Sequence, residues 1–346
     1  MPEKVIIAMS GGVDSSAAAA LMVDSGYECT GISLLLHNTG GIDFSDARQA
    51  AEKLGIIHKT LDYRDSFRDE VINYFVESYE QGYTPNPCII CNQKIKFGRL
   101  LSYLSETGTD FLASGHYAQI ERSGSRFLLK KAADLSKDQS YVLYGLNQEK
   151  LGRINFPLGN LKKNEVREIA KNKGFINANK SESQDICFVP DGDYGSFIER
   201  YTGKEYPEGD ILDINGNILG RHRGIIRYTL GQRRGLGVAV NHPVYVCTKD
   251  ARNNTIKMGP ETSLYSKTLI AENLNLIALE KLEKPLRVKA KTRYLHKEHD
   301  AWAIQTGINE IRIDFDEAQR AITPGQAVVF YDGDIVIGGG IIKKVV

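Results

Sequence analysis

Residues 4 to 9 (KVIIAM) form an apolar run that breaks into SGGVDSS and then AAAALMVDSG, where Ala18, Leu21, Met22 and Ser25 share one face at helical spacing. The pattern predicts a strand, a glycine turn and a helix that stops at Gly26. A second strand is expected from Cys29 to Leu36, a helix over Ser45 to Leu54 closed by Gly55, and a short strand over Ile56 to Leu61. Phe67, Val71, Tyr74, Phe75 and Ser78 line one side of a longer helix predicted over Asp65 to Glu80 and ended by Gly82.

YTPNPC places Pro85 and Pro87 in a turn, with Asn86 suited to cap a helix and Pro87 to its first position. That helix is expected from about Cys88 to Leu104. Phe111 to Ser114 reads as a buried strand leaving into GHYAQI, and Phe127 to Lys130 as a ribbon strand after a turn. Residues 147 to 173 are helical in pattern, with Lys162, Lys163, Arg167, Lys171 and Lys173 on an exposed basic side. The alternation predicts an α/β fold built on an open, mostly parallel sheet, whose site lies in the loops at the strand C-termini. From about residue 205 the texture changes to short strands and glycine turns without a comparable helix, and strands continue to the end. Three domains are therefore expected: an α/β catalytic domain over 1–204, a small β-rich domain over 205–262, and a C-terminal β-barrel-like domain over 263–346.

A length of 346 residues agrees with two or three cores. With 44 basic and 43 acidic residues, the net charge of +1 reveals no nucleic-acid partner. Local patches change this picture: Arg221, Arg223, Arg227, Arg233 and Arg234, joined by His222 and Tyr228, form the densest basic cluster, and arginine forks suit phosphate oxygens. The N-terminal run lacks a signal-peptide h-region, and no apolar stretch approaches the roughly 20 residues that cross a bilayer. Five cysteines, an odd number, argue for free thiols in a reducing compartment, hence a cytoplasmic location without membrane attachment.

Ser10-Gly11-Gly12-Val13-Asp14-Ser15-Ser16 lies between the first strand and helix. Glycines free of Cβ bulk let backbone N–H groups close on a pyrophosphate, and the helix N-terminus adds partial positive charge. Ser10, Ser15 and Ser16 add hydroxyl donors. A carboxylate beside phosphates is repelled unless a cation intervenes, so Asp14 is expected to hold Mg²⁺ or to orient the loop. The spacing is not that of a Walker A motif. Leu34, at the second strand, is the expected adenine contact, and Gly115 with His116 would flank the same crevice.

Cys88 and Cys91 form Cys-x-x-Cys at a helix start, where spacing i, i+3 brings both thiols to one face and the helix N-terminus favours a thiolate. By itself such a pair fits metal binding, redox chemistry or accident. Cys187 sits in KSESQDICFVP among acidic residues. It is either structural or, if sulfur is inserted into a substrate, the partner that such chemistry needs. Cys29 and Cys247 fall inside apolar strands and read as packing residues.

SGGVDSS resembles the signature of the PP-loop ATP pyrophosphatases, which split ATP between the α and β phosphates. Together with DAR at 46 to 48, TPNPCIICNQKIKFG, ASGHYA, KDQSY, ESQDICFVP, YTLGQRRGLG, KTRY and GQAVVFYDGDIVIGGG, it makes the whole chain resemble the tRNA-specific 2-thiouridylase family. The resemblance implies adenylation of the C2 oxygen of the wobble uridine in tRNAs for Lys, Glu and Gln, with sulfur arriving as a persulfide from a cysteine desulfurase or sulfur-relay protein. It implies ATP contacts over Ala8, Met9, Ser10, Gly11, Gly12, Val13, Asp14 and Ser15. Cys91 would be the nucleophile and Cys187 the persulfide carrier, with a disulfide between them during turnover. Asn86, Pro87 and Cys88 would border the target base. Lys137, Asp138, Gln139, Arg293, Tyr294, His116 and Gln326 would contact tRNA. Two positions depart from the family: the segment HNTGGIDFS before Asp46 is short, and Cys88 stands where many members have aspartate. With Cys91 and Cys187, that third thiol offers three corners of a [4Fe-4S] cluster as an alternative sulfur route. Two competing readings are a PP-loop ligase or amidotransferase, which leaves Cys91 and Cys187 without a task, and a non-catalytic tRNA-binding protein, which leaves the phosphate loop without one.

Overall fold

The computed structural model describes residues 2–38, 43–179 and 185–346. Its first sheet is parallel throughout, in the order β3 (Ile57–Asp62), β2 (Glu28–Leu35), β1 (Lys4–Ala8), β4 (Phe111–Ser114) and β7 (Ile154–Asn155). Strand order reverses at β1, so the crevice between the ends of β1 and β4 is the point where an α/β sheet of this type opens for a ligand. Ile6, Ile7, Ile32, Leu112 and Ala113 are buried on its faces. Helix α1 (Val13–Asp24) shares a core with it through Ala19 and Ala20, whose small side chains allow close approach.

Two stretches differ from the periodicity. Residues 147 to 173 are not one helical region: short helix Gln148–Leu151 gives way to β7, and a second helix begins only at Lys163. Phe156-Pro157-Leu158-Gly159 interrupts it, because Pro157 has no N–H to give a helix and Gly159 is pressed so close to Ala118 that a Cβ would overlap its carbonyl oxygen. The helix expected from Cys88 runs over Pro87–Ile90, Cys91–Arg99 and Leu100–Thr107, and its central part is widened to π-type bonding. At its end the Leu100 N–H donates to the Ile95 carbonyl, five residues back.

The middle sheet has four strands, β10 (Tyr245–Asp250), β11 (Thr255–Gly259), β8 (Gly209–Leu212) and β9 (Ile218–His222), with β11 and β8 parallel and the other pairs antiparallel. The last sheet closes on itself. β12 (Tyr265–Leu276), β15 (Glu310–Arg320), β14 (His299–Gly307), β13 (Leu286–Lys291), β16 (Ala327–Asp332) and β17 (Ile335–Val345) follow one another, and β17 pairs back on β12. Closure removes both sheet edges and encloses a core of Leu269, Val288, Ile311, Ile313, Phe330 and Ile342. The ribbon at Phe127 to Lys130 belongs to hairpin β5 (Gln119–Ser123) and β6 (Arg126–Lys130), which joins β17 at Ile335 and so extends the barrel from within the N-terminal part of the chain.

Candidate active site: a phosphate loop facing three thiols

β1 ends at Ala8, Met9 is buried, and the chain turns through Gly11 at φ +81°, a conformation that favours glycine. Gly12 then caps α1, with Val13 and Asp14 in its first turn. The Ser15 hydroxyl donates to the Gly12 carbonyl at 3.0 Å and accepts the Ser10 N–H at 3.2 Å. From another element, the Asn177 amide donates to the Gly11 carbonyl at 2.9 Å and to the Ser16 hydroxyl at 3.0 Å. These bonds fix the loop in shape before any phosphate arrives. Gly115, just after β4, backs it: a Cβ there would stand 2.7 Å from the Asp14 carbonyl carbon and 2.8 Å from the Ser15 nitrogen. Leu34 lies half-buried at the end of β2, on the same edge.

Asp14 is held on both oxygens. Lys163 Nζ donates to them at 2.7 and 2.8 Å, and the Tyr117 hydroxyl donates at 2.7 Å. Lys163 and Tyr117 thereby tie the first turn of α1 to two other segments of the chain. No three Cys, His, Asp or Glu side chains converge as ligands of a single ion among the described residues. Lys163 leaves the expected solvent-facing basic stripe, with only 11% of its side chain exposed.

The second half of the site is built on the helix that starts at Pro87. The Asn86 side chain accepts the Cys88 N–H at 3.2 Å, as its capping position predicts. Cys91 is buried, while Cys88 and Cys187 are open to solvent over part of their surface. Cys187 comes from a distant turn anchored by Phe188, whose ring packs at 5.7 Å on Phe67, 5.3 Å on Phe75 and 5.2 Å on Phe197. Cys91 and Phe188 belong to one core. The three thiols lie within electrostatic reach of one another. The expected lowering of thiol pKa at the helix N-terminus is overridden: burial pushes Cys91 up to about 12 and raises Cys88 and Cys187, with Lys96 pulling all three the other way. Free thiols stand at all five cysteines, so no Cys91–Cys187 disulfide is formed in this structure. Cys29, pushed up by burial to about 11, is a packing residue as expected. Glu182, Ser183 and Gln184 of the Cys187 motif lie outside the described residues.

His116 follows Gly115, which backs the phosphate loop, and lies within electrostatic reach of Lys96, as the three thiols do. Its Nδ1 is 2.9 Å from the Ser114 hydroxyl, and its ring lies 5.4 Å from Phe97 and 5.9 Å from Phe156. Burial, assisted by Lys96, holds it well below the usual imidazole range, so it is neutral at pH 7.

The remaining expected contacts are occupied internally. Asp138 accepts the Ala132 N–H at 3.0 Å and the Ser140 hydroxyl at 2.7 Å; Gln139 accepts the Tyr117 N–H at 2.9 Å; Lys137, beside them, is half-buried. Arg293 donates to the Thr323 hydroxyl at 2.6 Å and the Ala321 carbonyl at 3.1 Å, and reaches the Leu230 carbonyl at 3.4 Å. Its Nε is buried without a partner among the described residues. The Tyr294 ring lies 6.0 Å from that of Tyr141. Gln326 donates to the Thr84 carbonyl at 2.8 Å, and the Thr84 N–H donates to Pro324 at 3.0 Å, so the barrel grips the loop that leads into Asn86, Pro87 and Cys88. The arginine cluster is divided. Arg221 pairs with Glu208 and Asp210, Arg227 with Glu199 and Asp193, while Arg223, Arg233 and Arg234 remain exposed.

The sequence reading missed Tyr117, Lys163, Asn177 and Lys96 as parts of the site. Lys96 and Tyr117 lay inside quoted motifs without being singled out; Lys163 and Asn177 reach the loop through tertiary packing, which no local pattern signals.

The chain matches three family profiles in succession: the tRNA methyl transferase HUP domain over residues 3–191, the tRNA methyl transferase PRC-barrel domain over 195–260, and the aminomethyltransferase beta-barrel domain over 266–342. It is 49% identical to the tRNA-specific 2-thiouridylase MnmA of Acetivibrio thermocellus, with 99% of each chain covered. To the tRNA-specific 2-thiouridylase MnmA of Halothermothrix orenii it is 47% identical, again over 99% of each. Among solved structures, NMN synthetase from Francisella tularensis is similar over 60% of this chain and 79% of its own, at 22% identity and a TM-score of 0.36.

Proposed function

The chain belongs to the tRNA-specific 2-thiouridylase family, and from that premise we propose how its two half-sites divide the ATP-dependent 2-thiouridylation of tRNA. The activity leaves no place for a ligase, an amidotransferase or a non-catalytic binding protein. The observation that carries the division of labour is the bonded phosphate loop at Ser10 to Ser15, backed by Gly115 beside His116, with Lys96 in electrostatic reach of His116 and of the thiols of Cys88, Cys91 and Cys187.

The target is the wobble uridine of tRNAs for Lys, Glu and Gln, seated against Asn86, Pro87 and Cys88 after leaving its stack. Its C2 oxygen attacks the α phosphorus of ATP. Gly11, Gly12 and Ser15 hold the departing pyrophosphate, and the oxygen becomes the bridge to AMP, a good leaving group. The terminal sulfur of a Cys187 persulfide, supplied by a cysteine desulfurase or relay protein, then attacks C2 and expels AMP. Attack of Cys91 on the Cys187 sulfur releases 2-thiouridine and leaves a disulfide, which two electrons from an external dithiol must reduce. A buried Cys91 thiol suits a nucleophile used only after the substrate has entered and shifted its surroundings. The tRNA substrate and free thiols support a cytoplasmic location; no helix among the described residues is long and apolar enough to cross a membrane.

Cys88 favours a second sulfur route. Cys88, Cys91 and Cys187 stand within electrostatic reach of one another and, once deprotonated, would hold three corners of a [4Fe-4S] cluster. When bound, such a cluster supplies a fourth iron that can present sulfide.

Nucleoside mass analysis tests the reading. Unmodified tRNA-Lys incubated without oxygen with enzyme, Mg²⁺, ATP and a persulfide or sulfide donor should gain a uridine heavier by one sulfur-for-oxygen exchange, only with ATP. ATP-dependent AMP without a thiolated base would refute the assigned sulfur step. Full activity with neither iron nor acid-labile sulfide would exclude the cluster.

A further inference from the structure

Lys249 carries a cation into the seam between the middle sheet and the helix Asn73–Glu80, near the end of β10. Its side chain is half-buried, and its Nζ donates to the Tyr228 carbonyl at 2.8 Å and reaches the Tyr83 carbonyl at 3.5 Å, with the Tyr79 ring 5.6 Å away. Among the described residues no carboxylate pairs with it. The chain leaving the helix passes close by: Gly82, at φ +82°, has its Cβ position 3.7 Å from the Lys249 Cβ. Across the same seam the hydroxyls of Tyr79 and Thr229 share a hydrogen bond.

Tyr228 opens the loop that carries the exposed Arg233 and Arg234. β10 pins this loop a second time, for the Gly231 N–H donates to the Val246 carbonyl at 2.8 Å and the Val246 N–H to the Gln232 carbonyl at 3.0 Å. Gln232 steadies the tip, accepting the Thr229 N–H at 3.0 Å and donating to the Arg234 carbonyl at 2.9 Å. Strand, loop and helix end thus meet at one ammonium. A charged donor binds a carbonyl more strongly than a neutral one, and more so away from water. With no carboxylate to answer it, desolvation pushes Lys249 down to about 7, so the amine gives up its charge as pH rises through neutrality. The groups that face Nζ are the carbonyls of Tyr83 and Tyr228 and the ring of Tyr79, which burial keeps protonated throughout that range.

We propose that Lys249 is a positioning residue for tRNA binding: its ammonium fastens the base of the arginine loop to the end of the helix Asn73–Glu80, so that Arg233 and Arg234 meet RNA phosphates at a fixed place, and loss of its proton frees the loop. This rests on the tRNA reading above. An arginine held on a fixed support loses less freedom on meeting a phosphate than one on a loose loop, which is where the gain in affinity arises.

Two readouts on the full-length enzyme separate this inference from the reading it rests on. Amide hydrogen exchange over Thr229 to Gly237 needs no tRNA. Near pH 6, Lys249→Met should speed exchange of the Gly231 N–H by about tenfold, the value of one hydrogen bond to a charged group. Lys249→Arg, which keeps its charge at every working pH, should protect the loop as the wild type does. Near pH 8.5, after correction for the intrinsic pH dependence of exchange, the wild type should exchange like Lys249→Met while Lys249→Arg stays protected. Binding of unmodified tRNA-Lys at constant ionic strength should follow the same order: tight at both pH values for Lys249→Arg, weak at both for Lys249→Met, and weakening by about tenfold with rising pH for the wild type. ATP binding should be alike in all three, whereas a mere support of the fold would move ATP and tRNA binding together. Equal loop exchange in the wild type and Lys249→Met near pH 6 would overturn the inference whether or not tRNA binds, and so would a wild-type pH profile parallel to that of Lys249→Arg. If Lys249→Met does not fold, the profiles of the wild type and Lys249→Arg decide. The expected exchange pattern in a wild type that binds no tRNA would overturn the tRNA reading and the positioning role with it.

Discussion

The two halves of the site are built by opposite means. The phosphate half is a single strand, loop and helix, in which Ser10 to Ser16 supply glycines, hydroxyls and a helix N-terminus within seven residues. The thiol half is assembled from the turn and helix at Asn86 to Lys96, the loop at His116, the turn at Cys187 and a brace from the barrel at Pro324 to Gln326. A site made by local geometry can be preformed and rigid. One made by several distant segments is set by how those segments pack, and its Cys91 thiol is buried in a core instead of bared by a helix end. This contrast matches the chemistry: ATP is always the same ligand, whereas the sulfur side must admit a base, a sulfur donor and a reductant in turn.

The largest separation of the halves should come from Cys187→Ser. Its hydroxyl cannot carry a persulfide, so thiolation should fall to background, by at least about a hundredfold. Pyrophosphate release with tRNA and ATP should remain, because the loop bonds among Ser10, Gly12 and Ser15 do not involve Cys187. Loss of both activities in a variant that still binds tRNA would join the halves into one unit.

Gly115→Ala should act in the other direction. A methyl group there would press on the Asp14 and Ser15 backbone at 2.7 to 2.9 Å, so either the loop or the end of β4 must shift. Overpacking of this kind costs roughly 1–3 kcal/mol. ATP binding and pyrophosphate release should drop, while labelling of Cys187 by a small thiol reagent should stay at the wild-type rate. Unchanged ATP affinity would show that the loop tolerates displacement and is not held by this contact.

Legibility follows the same divide. The parallel sheet could be read because each apolar run ended in a glycine turn, and the loop could be read because its residues are consecutive. The identities of Cys88, Cys91 and Cys187 were visible, but their state was not: the helix-end argument predicted acidic thiols, whereas packing around Phe188 desolvates them. Lys163 looked like one more surface lysine because periodicity cannot see α1 lying across it. The pairing inside the basic cluster was hidden in the same manner, for Glu199, Glu208 and Asp210 neutralise Arg227 and Arg221 from segments before the arginines in the chain. β7 was hidden inside a helical pattern because two residues are too few for a strand period to register.

The smallest effect tests whether the barrel sets the thiol half at all. Gln326 donates to the Thr84 carbonyl, two residues before Asn86, and Gly325 at φ +92° lies so near this loop that its added Cβ would meet the Thr84 nitrogen at 2.9 Å. Gln326→Ala removes one neutral hydrogen bond and should cost about 1 kcal/mol in stability. If the bond positions Asn86 and Pro87 for the base, kcat for thiolation should fall a few-fold, by roughly the same free energy, with KM for tRNA unchanged. A rise in KM for tRNA at constant kcat would instead make Gln326 a tRNA contact, as the family resemblance implies. That outcome would leave the thiol half held by the Phe188 core alone.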